Sequence, residues 1–344
     1  MSLIKVLAVV ALGCVSVVTH AEELDAWLDK MKQAMNSKNY EGTLVIRQQD
    51  HMQVMHVLHG VGEKGSWEVM ESTSGENRQV IRRNGQVTTI FPTRHLLTIR
   101  RDLQAPALRP QLPENRDILR DYYQFDLVGE DRIARKPTQV LQVKPKDQYR
   151  YGFRFWLDKE SGLLLKCDLL NAQGGVVEQV MFSDLKILDE SPVSKAWEED
   201  HSDYRIIDLD EGRVEPTGHE WRVDKLPVGF KLTSTSTKPS NHGDGLVHQL
   251  VFSDGMASVS VFVEDSLPEN TGLAGFSSMG ALNAYGQPIK GHHVTVIGEV
   301  PEATVRLIAE SIYNVHDTPA QIGNTRRTPS RGHLVCRLLL EKKK

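Results

Sequence analysis

Cysteine is scarce in this chain. Three are present, Cys14, Cys167 and Cys336, so no disulfide framework holds the fold together. An excess of charge of one sign is also missing. Lys and Arg number 41 against 45 Asp and Glu, a formal net charge of −4, which gives no reason to expect nucleic acid as a partner. Long apolar runs are absent apart from Val6 to Val18, which is too short to cross a bilayer. The chain has no nucleophile elbow, zinc-binding helix motif or phosphate loop. Carboxylates are plentiful, yet none forms a pair on a scaffold that would assign a general acid and a general base. These absences point away from an enzyme.

What is present begins with an export signal. "MSLIKVLAVVALGCVSVVTHAEE" has Lys5, then the apolar run, then Thr19-His20-Ala21, which predicts a signal peptide, 1–21, cleaved after Ala21. Cys14 follows "ALG", with Ala11 where a lipoprotein signal carries Leu and with a short run before it, so it is read as signal and not as an acylation site.

Leu24, Leu28, Met31 and Met35 recur at helical spacing and predict an amphipathic helix over 22–38. Six strand-like segments follow without helices between them: "GTLVIRQQ", "MQVMHVLHG", "SWEVMEST", "NRQVIRRNG", "QVTTIFP" and "HLLTIRR". Asn84-Gly85 is a two-residue hairpin turn, and the order predicts an antiparallel meander. Pro106, Pro110 and Pro113 interrupt the pattern before a second helix over 114–124. Five more strands run from "FDLVGEDRIA" to "VVEQVMFSDLKIL". The expectation for 22–190 is a strongly curved, unclosed antiparallel sheet plugged by helices.

Residues 191–215 are acidic, with few sustained apolar periods, and read as a linker of which part could dock. A second domain, 216–316, contains the hairpin "LVHQLVFSDGMASVSVFVED" and a helix opened by Pro301, with Val305, Ile308, Ala309 and Ile312 on one face. The basic tail 317–344 is expected to be disordered. The fold class is α+β.

Several motifs dissolve on inspection. "GVGEKG", Gly60 to Gly65, satisfies a dinucleotide pattern, but "SWEVM" after it reads as a strand, so the glycines form a hairpin loop. His51, His56 and His59 cluster, but His56 has the opposite strand parity, and no metal or other cofactor is expected. Cys167 alternates with Leu163, Leu165 and Leu169 as a buried small hydrophobe.

Two non-enzymatic surfaces remain. One is an aromatic and aliphatic concave face with Phe91, Leu97, Ile99, Tyr151, Phe153, Phe155, Leu163 and Leu165. Its rim is Arg82, Arg83, Arg94, Arg100 and Arg101. It reads either as a plain core with a solvated rim or as a cavity for acyl chains whose anionic head groups meet the arginines. The other is the late hairpin, with Phe262 among serines and His248 on the preceding strand, where an exposed aromatic could anchor a peptide.

The order "YEGTLVIRQ", "RQVIRRNGQVTTIFP", "FRFWLDKESGLLLK", "WRVDKLPVGFKL" and "FSDGMASVSVFVED" resembles the RseB/MucB family of regulators of the envelope-stress sigma factor, over residues 22–316. The resemblance implies an amino-terminal domain like the lipoprotein carrier LolA and the lipoprotein LolB, and a smaller mixed α/β carboxy-terminal domain. It further implies a periplasmic protein that binds the periplasmic domain of an RseA/MucA-type anti-sigma factor and shields it from site-one proteolysis. Lipid or lipopolysaccharide releases it, and members form homodimers or larger assemblies. By this likeness the hairpin belongs to the docking domain, with His248, Phe252, Ser253, Asp254, Met256, Ser258, Ser260 and Phe262 as inferred contacts. The alternative is a LolA-like carrier of lipoproteins or lipids. After His316 the resemblance fades.

Overall fold

The computed structural model describes residues 22–63, 65–101, 117–214, 220–240, 245–265 and 272–316. The expected signal peptide, the proline-rich stretch 102–116 and the basic tail lie outside the described residues, as do Cys14 and Cys336. The chain forms two compact units. The first holds the described residues up to 101, then 123–144 and 152–209; the second holds 117–122, 145–151 and the described residues from 210 onward. Both are mostly β with few helices.

The first unit opens with helix α1, residues 22–37. Its buried stripe is Leu24, Leu28, Met31 and Ala34. Met35, expected to complete that stripe, is only half-buried, because the step of three from Met31 lands on Ala34. Six strands follow as the expected meander: β1 (Asn39–Gln48), β2 (His51–Gly62), β3 (Gly65–Ser72), β4 (Gln79–Arg83), β5 (Gln86–Phe91) and β6 (Leu96–Arg100). Each pairs antiparallel with the next. Asn84 and Gly85 have φ of 53° and 72°, the two positive values that a tight hairpin matched to strand twist requires. Gly60 to Gly65 lies at the β2–β3 hairpin, as expected.

Helix α2 (Asp117–Tyr122) belongs to the second unit, and it is shorter than expected because Tyr123 already begins a strand. The remaining strands of the first unit are β7 (Tyr123–Ile133), β8 (Lys136–Pro145), β9 (Gly152–Asp158), β10 (Leu164–Leu170), β11 (Val176–Leu188) and β12 (Arg205–Asp208). All twelve make one sheet in the order β12-β6-β5-β4-β3-β2-β1-β11-β10-β9-β8-β7, with β12 and β7 as its two edges. Its main core gathers Tyr40, Leu44, Val57, Met70, Trp156 and Phe182.

The acidic stretch after β11 is docked. Ala196, Trp197 and Tyr204 pack on Val69, Ile81, Ile90 and Leu97. Arg83 lies over the Trp197 ring at 4.4 Å, and the Trp67 and Trp197 rings meet edge to face at 5.1 Å. β12 then adds to β6 in parallel.

Gly162 fixes where α1 crosses the β9–β10 turn. Its φ is +81°, and a Cβ there would stand 2.6 Å from Lys30 Cγ and 2.8 Å from the Lys30 carbonyl oxygen. The Lys30 ammonium in turn donates to the Lys159 carbonyl. Gly162→Ala combines a left-handed backbone penalty of about 1–2 kcal/mol with that collision. Urea unfolding should show a total loss of about 2–4 kcal/mol.

The second unit contains β13 (Trp221–Val223), β14 (Lys231–Pro239), β15 (Leu246–Ser253), β16 (Ser258–Asp265), β17 (Gly275–Met279), β18 (Leu282–Ile289) and β19 (His292–Gly298). Helix α3 (Glu302–Ser311) and β20 (Ile312–Asn314) complete it. Six strands form one sheet, β14-β15-β16-β19-β18-β17, and β13 pairs with β20. Val305, Ile308 and Ala309 of α3 pack with Leu250, Val261 and Val296 of the sheet.

Candidate functional site

The late hairpin separates its residues cleanly between two faces. Strand β16 alternates as its sequence predicts, with Val259, Val261 and Val263 fully buried beneath α3. On the opposite face, pairing aligns Ser236, Gln249, Phe262 and Thr295 in one row. The next row is Ser234, Val251, Ser260 and Ile297. Phe262 is half-buried, and Gln249 Nε2 donates to Ser260 Oγ at 3.4 Å. Leu273 crosses part of this face, since a Cβ on Gly286 would meet its carbonyl oxygen at 1.9 Å. Burial pulls the neighbouring His293 imidazole below its ordinary pKa, against a hydrogen bond with the Leu273 backbone.

Of the eight inferred contact residues, Ser253, Ser258, Ser260 and Phe262 share that face by register. His248 and Phe252 do not. They pair with Val263 and Val259 on the face beneath α3, because each stands an odd number of steps from Gln249. Met256 lies in the turn, half-buried. Asp254 is a structural residue of the turn. Its Oδ1 accepts the N–H groups of Met256 and Ala257, both at 2.8 Å, and its Oδ2 lies 3.0 Å from Arg150 Nη1.

Arg150 carried no signal in the sequence. It is 1% exposed, 3.2 Å from Asp147, and donates to the Val228 carbonyl. Its guanidinium lies over the rings of Tyr122 and Phe230 at 5.0 and 5.2 Å. Tyr151, expected in the lipid cavity, belongs to this unit, where its hydroxyl accepts a hydrogen bond from Asn283 at 2.9 Å.

In the first unit, pairing lines up Leu141, Phe155, Cys167, Val180 and Ile46 on one face. The same face carries Tyr40, His59, Glu68, Arg82, Val87 and Arg100 as a single row across six strands. That row begins buried and ends in solvent. Tyr40 and His59 stack with centroids 4.7 Å apart, Tyr40 donates to Glu68 at 3.4 Å, and Arg82 lies 3.6 Å from Glu68. Thr89 and Phe91 continue this face along β5, half-buried.

The expected cavity residues therefore separate. Phe153 and Phe155 stack 5.7 Å apart, and Leu163 and Leu165 are buried in the main core. Leu97 and Ile99 lie on the other side of the sheet, under Ala196 and Trp197. The physical reason is parity: "HLLTIRR" offers apolar residues on both alternations, and the docked stretch claims this one. Among the arginines, Arg82 and Arg100 share the Tyr40 face. Arg83 stacks on Trp197, Arg94 pairs with Glu76 at 2.5 Å and Arg101 with Asp208 at 2.6 Å.

Cys167 sits among Leu44, Leu165, Val180 and Phe182. Burial pushes its thiol far up, helped by the negative charges of Asp168 and Glu178. Without thiolate there is no nucleophile. Iodoacetamide at pH 8 should leave Cys167 unlabelled in the native protein and label it in guanidinium, as read by peptide mapping.

Comparison with known proteins follows the same two-unit order. The family model for the MucB/RseB N-terminal domain matches residues 23–202, and that for the MucB/RseB C-terminal domain matches residues 215–313. The chain belongs to the MucB/RseB family. It is 31% identical over 306 residues to the sigma factor AlgU regulatory protein MucB of Pseudomonas aeruginosa, covering 86% of this chain and 92% of that protein. The sigma-E factor regulatory protein RseB of Escherichia coli is 26% identical over 294 residues, covering 83% and 89%. The Pseudomonas aeruginosa MucA/MucB complex superposes with a TM-score of 0.67 at 28% identity, covering 85% of this chain and 99% of that one. MucB in complex with MucA(peri) gives 0.65 at 27% identity, covering 84% and 98%. Among the described residues of this MucB/RseB family member, no helix is long and apolar enough to cross a membrane.

Proposed function

We propose that this chain is a periplasmic regulator that binds the periplasmic segment of a MucA/RseA-type anti-sigma factor and shields it from site-one proteolysis. By doing so it restrains the envelope-stress sigma factor, until lipid or lipopolysaccharide releases it. The observation that carries this reading is the likeness, across both family domains, to MucB solved together with MucA. Such a role needs no catalytic group. It needs a folded surface that sequesters a peptide, and a ligand that prefers the peptide-free conformation.

In this reading the partner rests against the Phe262 face, and anionic lipid against the half-buried face of β4–β6 between Arg82 and Arg100. Phe262 supports the first assignment as a half-buried aromatic paired across strands with two polar residues, Gln249 and Thr295, a side chain of the type that anchors partners. The two arginines support the second because they share one face with an apolar residue, Val87, between them.

The test mixes the mature chain with the periplasmic segment of its own organism's anti-sigma factor and the site-one protease. Cleavage should slow, and added lipopolysaccharide should restore it. Lipid binding with no effect on cleavage would instead favour a carrier. Phe262→Asp should weaken binding of the segment at least ten-fold with unchanged circular dichroism, and equal affinity of mutant and parent would remove this face from the proposal.

A further inference from the structure

An exposed sheet edge presents backbone N–H and C=O groups to any extended chain, and proteins usually blunt such edges with charge, proline, bulges or short strands. Among the described residues, three of the four outer strands of the two large sheets are blunted in this way. β12 has four residues and β17 has five. β7 carries Asp126, Glu130, Asp131 and Arg132, and Gly129 at φ 136° bends it. β14 is the least protected. It runs for nine residues, "KLTSTSTKP", with one bulge near its start, between Leu232 and Ser234, and no charge or proline between Lys231 and Lys238.

The chain itself shows that this edge accepts a partner. Val214 forms an isolated antiparallel bridge with Thr237, each N–H donating to the other's carbonyl at 2.9 Å. Outward bonding alternates along a strand, so the next outward pair belongs to Thr235. Among the described residues it makes no hydrogen bond on that side. Exposed apolar side chains accompany the strand: Val228 at 75% just before it, Leu232 at 39% at its start, and Val214 at 63% in the bridge to Thr237.

We infer that the β14 edge takes an extended segment of the anti-sigma factor as an added antiparallel strand, in continuation of the Val214 bridge. This rests on the regulator reading above and deepens it, because proteases also take their substrates as extended strands through backbone hydrogen bonds. A segment whose N–H and C=O groups are paired with β14 cannot offer them to a protease. Lys231 and Lys238 at the ends of the strand suit a segment with acidic flanks. A second copy of this chain would instead bring its own lysines to the same short edge, which is unfavourable.

The experiment uses the full mature chain and the recombinant periplasmic segment of its own organism's anti-sigma factor. Thr235→Pro removes the outward N–H, and proline is tolerated where an edge N–H faces solvent. The segment should bind Thr235→Pro at least ten-fold more weakly than the parent. In the parent, exchange of the Thr235 amide should slow at least ten-fold on binding. Replacing successive segment residues by N-methyl residues should weaken binding at every second position. Parent-like binding by Thr235→Pro, with no protection of the Thr235 amide in the parent, overturns the edge and leaves the regulator reading standing. Absence of any binding by the parent overturns both. Should Thr235→Pro fail to fold, the parent's amide exchange and the N-methyl series decide alone. Protection of Thr235 that rises with the chain's own concentration, without the segment, assigns the edge to a second copy and also overturns the inference.

Discussion

Asp254→Ala is expected to lower the unfolding free energy by about 3–5 kcal/mol, the usual result of deleting one member of a buried ion pair. The carboxylate and the Arg150 guanidinium it faces at 3.0 Å are both fully buried. Arg150 would keep Asp147 and the Val228 carbonyl, but the charge would stay in the same dry surroundings with less to offset it. Two turn N–H groups, of Met256 and Ala257, lose their acceptor at the same time. Asp254→Asn separates these effects, since the amide oxygen can still accept both turn hydrogen bonds while the charge is gone. Urea unfolding should give the Asn variant more than half of the loss seen for Ala. An Ala variant within about 1 kcal/mol of the parent would mean that desolvation of the pair already cancels its attraction. The result also bears on function. A fall in partner binding by Asp254→Ala reports a damaged turn, whereas the exposed Ser258 and half-buried Phe262 report the surface itself.

The meander of the first unit and the late hairpin of the second were legible in the sequence because alternation over four or more residues has no cheap alternative once one face is buried. Val259, Val261 and Val263 show this in β16, and Asn84-Gly85 shows it for a turn that only such residues make easily. Two kinds of feature were not legible. Where both parities are apolar, as at Leu96, Leu97 and Ile99, the sequence does not say which residue meets the core, and the docking of Ala196 and Trp197 decides it. That docking was itself hidden, since it depends on two indoles, an arginine and one short parallel pairing inside an acidic stretch. The second kind is the buried charge. Arg150 stands among "DQYRYGF" with nothing to mark it, and its burial comes from groups distant in sequence: Tyr122, Val228, Phe230 and Asp254. Asp254 was expected as a partner contact, whereas one of its carboxylate oxygens holds the turn and the other faces Arg150.

Phe155→Ala and Phe91→Ala should behave oppositely, although the sequence placed both residues in one lipid cavity. Phe155 is fully buried, paired across strands with Leu141 and Cys167. Its truncation removes core contacts and leaves a void, with an expected loss of about 3–5 kcal/mol. Phe91 is half-buried at the end of β5, with the Arg94 guanidinium 5.3 Å from its ring. Its loss should cost about 1 kcal/mol from the cation–π contact and the modest area released. If anionic lipid is taken up at the face of β4–β6, Phe91→Ala should reduce capture of lipopolysaccharide several-fold at nearly parental melting temperature. Phe155→Ala should lower the melting temperature by several degrees and change capture only as far as it unfolds the unit. The reverse pattern, a stable Phe155→Ala that no longer captures lipid beside a Phe91→Ala that does, would move the lipid site from the β4–β6 face to the interior of β8–β11. The two variants differ because burial, not residue type, decides whether an aromatic side chain is available to a ligand or already committed to the fold.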